Sequence, residues 1–171
     1  MVWGLLVTSV ARADNRPAEH PNHIFASPAG YGLSIGYLRY SGEHVFAGGQ
    51  IVYVPPPFED YDLLGGAVCV GLSTGRQDSG GFVMASAGLH HVFAFDELPR
   101  NTIGHSTTSV VFALSLGIYW RVSDAAVSRV GFGLGTARAV GSSCADRPLV
   151  PCTSHNEGFH LVPVLDLGYT F

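Results

Sequence analysis

The 171-residue chain is 47% hydrophobic and only 13% charged, about half the charged share of an ordinary water-soluble domain. A net charge of −4 and 9 dispersed Lys and Arg exclude a nucleic-acid surface, which needs a basic cluster. After its start no apolar run reaches the roughly 18 residues of a spanning helix, so a chain this apolar points to a closed barrel, the other fold that satisfies its backbone in hydrocarbon.

The opening "MVWGLLVTSVARAD" has two readings, and both stay open. As a secretory signal it supplies an apolar core and an Ala-x-Ala site at Ala11 and Ala13, but no positively charged start. As a first barrel strand it sets Trp3, Leu5 and Val7 opposite Gly4 and Thr8. On either reading residues 14–28 are a loop or N-terminal segment, and residues 29–171 form the barrel.

From Tyr31 onward, period-two segments alternate with turns. Tyr31, Leu33, Ile35 and Tyr37 oppose Gly32, Ser34 and Gly36; Val45, Ala47, Ile51 and Tyr53 oppose Gly48 and Gln50. "PPPFED" breaks the pattern, because proline cannot donate to a ladder. Leu64, Val68, Val70 and Leu72 then face away from Gly65, Ala67, Cys69 and Gly71, and Val83 to Phe93 repeats the arrangement. "DELPRNTIGHS" reads as a longer loop. "VVFALSLGIYW" (Val110 to Trp120) has about the length of a tilted spanning strand. Val130, Phe132 and Leu134 follow opposite Arg129, Gly131 and Gly133, and "VGSSCADRPLVPCTSHNEG" is the longest loop. Bulky residues on one face, with Gly, Ala and Ser on the other, are the pattern of a transmembrane barrel. A soluble sandwich or lipocalin-like barrel fits less well, since its core would lack bulk. The expected fold is all-β: an antiparallel up-and-down transmembrane β-barrel of eight strands.

The terminal segment "FHLVPVLDLGYTF" resembles the C-terminal signature of bacterial outer-membrane β-barrels: a final aromatic, Phe171, another at Tyr169, and alternating apolar residues before them. The chain as a whole resembles the small eight-stranded members of that family. The resemblance implies a place in the outer membrane of a Gram-negative envelope, a C-terminus on the periplasmic side and an even strand number. It also implies contact with outer-membrane lipids and recognition of the last strand by the barrel-assembly machinery; a monomer is expected. Only seven strands are countable between Tyr31 and Phe171, so the eighth is either the opening segment or unidentified. Pro163 occupies an apolar slot of the last strand, where a bulge is expected.

Candidate chemistry lies mostly in the loop-side half. By parity His90, His105 and His160 point inward, and with His155 and Glu157 they form a possible binding rim, a proton-responsive cluster or a metal site. Their spacing matches no known ligand motif, so no metal and no cofactor is expected. Cys144 and Cys152 are eight positions apart in the longest loop and suit a disulfide staple; Cys69 is the odd thiol, on the small-residue face. Arg129 and Asp166 are inward charges at similar height on the last two strands and are expected to pair, because an unpaired charge there is costly. Some small outer-membrane barrels modify lipid A with Ser, His and an acid at the outer rim. Here His105–Ser106 and Ser154–His155 with Glu157 offer those residue types, but neighbours in an extended chain face opposite ways. The function expected is therefore a non-enzymatic structural or loop-mediated binding role. A lipid A-modifying, deacylase-like enzyme, or a narrow pore or small-ligand barrel, is the alternative.

Overall fold

The computed structural model describes residues 21–29, 32–55, 61–74, 79–98, 101–144 and 158–171, with side chains for all of these except 29, 32, 61, 94–98, 101–105 and 142–144. Eight strands follow one another: β1 (Asn22–Ala29), β2 (Gly32–Ser41), β3 (Val45–Val54), β4 (Tyr61–Ser73), β5 (Ser79–Leu98), β6 (Asn101–Arg121), β7 (Ala126–Cys144) and β8 (Gly158–Thr170). Each pairs antiparallel with its sequence neighbours, and β1 also pairs with β8, so the sheet closes into an up-and-down barrel. Following ladder partners once round from Phe25, through Gly36, Gln50, Ala67, Gly88, Val111, Ala137 and Gly158, returns to the β1 line ten residues beyond its start. Eight strands with that stagger tilt by about 40–45° and leave an interior that side chains can fill.

The eighth strand is Asn22–Ala29, which corrects both the loop expected over 14–28 and a barrel beginning at 29. Its sequence inverts the pattern of the others. Phe25 and His23 point inward and are buried, while Ile24 is the one bulky aliphatic turned outward. Because β1 is bonded on both edges, it fills the barrel position that the strand reading gave to residues 1–13; those residues lie outside the described ones.

Two expected loops are shorter than the sequence suggested. The β5–β6 ladder continues to Leu98–Asn101, and β7 runs on to Cys144. Polar Thr and Ser there still complete a ladder once a neighbouring strand is present. The register shifts once, between Thr108 and Ser109, where Val140 is the extra residue of β7.

Pro163 makes no bulge; it sits in continuous register opposite Phe132. The reason lies in hydrogen-bond parity. The Phe171 N–H donates to Asn22 of β1, and the Thr170 N–H donates to Ala125 on the β7 side. Odd-numbered residues of β8 therefore turn their N–H groups toward β1. The β1 ladder stops at Ala26–Leu167, and β1 itself ends three residues later, level with Val164. At Pro163 the missing N–H faces a side where β1 has no residue to accept it.

Large apolar side chains cover the outside. Leu114 is 60% exposed, Phe132 57% and Leu165 49%. The inside is not merely small. Phe25, Leu38, Phe46, Phe82, Tyr119 and Val164 form a buried cluster in the half nearer the short turns, and Val52, Val54, Leu63 and Val92 form a second toward the loops. Glycines make room for the rings: a methyl at Gly36 would overlap the Phe25 ring, and one at Gly71 the Phe46 ring. Replacing either by Ala is expected to destabilise the barrel by about 1–3 kcal/mol through overpacking. Gly81→Ala, whose new methyl meets nothing closer than 3.7 Å, is expected to leave the chemical denaturation midpoint near the native value.

Candidate functional site

Arg129 and Asp166 face each other across the β7–β8 ladder, both pointing inward. Alternation alone sets that direction, and the register puts the two at one level. The structure brings them together: Arg129 Nε donates to Asp166 Oδ1 at 3.0 Å, and Nη2 lies 2.7 Å from Oδ2. Their side chains are 3% and 2% exposed. The guanidinium sits 4.8 Å from the Phe25 ring centroid and 5.7 Å from that of Phe82, so π-faces cover the surfaces that the carboxylate leaves open. A bidentate pair capped by rings is a structural lock, because neither charge can be left alone at this depth.

Sequence reasoning missed His23 and Phe25 as partners of this lock, since their segment was read as a loop. The His23 ring stacks on Phe25 at 5.8 Å and is buried, with both ring nitrogens unbonded; Arg129 Nη1 is unbonded too. The available signal was the alternation of His23, Phe25 and Ser27 against Ile24, Ala26 and Pro28. Cys69 packs half-buried against the same ring cluster as a free thiol. Together these groups fill the turn-end half of the interior, so the glycines there are sockets rather than the walls of an open channel.

The histidines divide. His90 and His160 both point inward in the loop-end half; His90 Nδ1 and His160 Nε2 are buried without hydrogen-bond partners. His90 is the ladder partner of Ser109, whose hydroxyl is also unbonded. His91 points outward, with Nδ1 2.8 Å from Thr108 Oγ1 and its ring edge-on to Phe93. This hydroxyl–imidazole contact has no carboxylate within ion-pair distance among the described residues, so it lacks the third group that orients a catalytic base. His105 lies on β6 and Cys144 on β7, but their side chains, like Cys152, Ser154, His155 and Glu157 altogether, lie outside the described residues. Among the described residues no group of three His, Cys, Asp or Glu is placed to hold a metal.

Breaking the lock from one side is expected to cost more than removing it. Arg129→Met or Asp166→Leu alone strands a buried charge, about 3–5 kcal/mol by denaturant titration, whereas the double variant recovers most of that loss. Additive losses in the cycle would show that the two groups act independently. Comparison of the chain with protein-family models, with curated proteins and with solved structures returns no match.

Proposed function

We propose that this chain is a non-enzymatic β-barrel protein of the bacterial outer membrane, monomeric, with a structural or loop-mediated binding role. One observation carries the reading: the outward face is a continuous apolar belt. Along β6 it runs from Val110 through Phe112, Leu114, Leu116 and Ile118 to Trp120. Ten steps of about 3.3 Å, tilted by about 40–45°, give a height of about 25 Å, which is that of the apolar band of a membrane barrel. Among the described side chains, outward charges within the strands occur only beyond its edges: Arg39 at the turn end, Asp62 and Arg138 at the loop end. Aromatics mark both edges, with Trp120, Tyr169 and Phe171 at one and Tyr53, Phe93 and Phe159 at the other, as interfacial girdles do. Water-facing surfaces do not carry apolar patches of this extent.

In this setting residues 1–13 serve as an export signal, and the strand ending at Phe171 is the segment the assembly machinery reads. The ring plug and the Arg129–Asp166 lock stand against a conducting pore.

Leu114→Arg distinguishes the two possible solvents by sign. In phospholipid it is expected to lower folding stability by about 2–4 kcal/mol; on a hydrated surface it would be neutral and raise solubility. Native protein is also expected to show heat-modifiable migration in detergent gels. Lipid A masses are expected to be the same with and without the protein, and a changed mass would overturn the non-enzymatic role.

A further inference from the structure

On the loop side of the ring plug the interior changes character. The inward positions around His90 and His160 include Ala67, Gly88, Val111, Ala113, Gly135 and Ala137, none larger than valine. Gln50 points inward by parity with the buried Phe46 and Val52, yet it is exposed, so solvent-sized space reaches it inside the barrel. Ser109 is fully buried with its hydroxyl unbonded, and His90 Nδ1 and His160 Nε2 are unbonded as well. Small walls with a few convergent, unsatisfied polar groups are the composition of a ligand site, and buried polar atoms of this kind call for a partner.

We propose that this chamber binds one uncharged amphiphile: a small molecule with a hydroxyl or amide head and a slender apolar body. Among the described residues no charged side chain enters the chamber above the Arg129–Asp166 lock, so a charged ligand would be taken in without a counter-charge. Gln50, His90, Ser109 and His160 offer both donors and acceptors, which suits a neutral head that also does both. The apolar body lies along the small-residue wall beside Val52 and Val92. Two imidazoles without a third ligand do not make a metal centre. Entry is from the loop end, since the ring cluster closes the other. Among the described residues the strands end lowest at Ala29 of β1 and Gly32 of β2, because β8 continues six residues beyond that level, to Gly158.

The chamber belongs to the closed barrel and does not depend on the solvent outside, so its test and that of the membrane reading can fail separately. The test is a titration of the folded protein, in phospholipid nanodiscs or, where Leu114→Arg shows a hydrated exterior, in aqueous buffer, with ¹³C-labelled histidine rings, by 1,2-hexanediol. Glycerol, hexanoate and zinc chloride serve as wholly polar, charged and metal arms. Saturable shifts of the His90 and His160 rings by the diol, with His23 in the plug and His91 outside unmoved, are expected. Ser109→Ala and Gln50→Leu, each checked for heat-modifiable migration, are expected to weaken the affinity several-fold, up to about tenfold. If one variant fails to fold, the other carries the comparison. Native affinity in a folded variant, shifts shared with His91, saturation by zinc or hexanoate instead of the diol, or no response to any arm (ordered water only) would each overturn the proposal.

Discussion

Closure between Asn22 and Phe171 is the constraint on which the remaining geometry depends. Each of these residues donates its backbone N–H to the carbonyl of the other, at 3.1 and 3.0 Å, and the Asn22 side chain adds a bond to the Phe171 carbonyl. Tyr37 anchors the same asparagine from β2 through a 2.6 Å bond to its side-chain oxygen. With this seam tied, β1 has partners on both edges and no strand is left at a sheet margin over the height they share. It also sets the stagger of the barrel. That stagger decides which inward residues meet: the level of Arg129 with Asp166, the Phe25 ring over the guanidinium, and His90 beside Ser109.

A barrel of this width can hold a ring only where the facing strand gives up its side chain. Five large inward residues, Phe25, Leu38, Phe46, Phe82 and Tyr119, cluster in the turn-end half. Gly36 and Gly71 sit under two of these rings. Toward the loops no rings fill the interior, and glycine serves close approach of the neighbouring strand instead: a methyl at Gly88 would overlap the Gly66 carbonyl and the Ala67 side chain, and one at Gly135 would press on Val162. Glycine on the inward face thus has two different meanings in one molecule. Which applies at a position depends on what the neighbouring strand inserts, not on the glycine.

Much of this was legible in the sequence because the dominant signal is local. Alternation over "VVFALSLGIYW" or "LVPVLDLGYTF" needs no knowledge of partners, and it yields the fold class, seven of the strands and the inward direction of Arg129, Asp166, His90 and His160. What stayed hidden was decided by neighbours. β1 carries its bulk inward as Phe25, so its pattern is that of a loop until β2 and β8 flank it. The end of β5 and the beginning of β6 are polar, and only their mutual pairing makes them strands. Pro163 is harmless because β1 stops short at Ala29, far away in sequence. The satisfaction of individual histidines could not be read either, since His91 finds Thr108 while its immediate neighbour His90 finds nothing.

The two halves of the interior also answer a question about stability that neither answers alone. A buried ion pair contributes little net free energy against a packed apolar alternative, so Arg129–Asp166 is a poor reason for the barrel to be stable. It is a good reason for it to have one register. Sliding β8 by one residue against β7 would turn Asp166 outward and leave Arg129 unpaired among Phe25 and Phe82; sliding by two would keep the direction but separate the head groups. Penalising both slips fixes the in-and-out parity of the last strand, including His160. The loop-end half, free of such a lock, can then leave polar atoms unsatisfied without losing the fold, because the register they depend on is held from below.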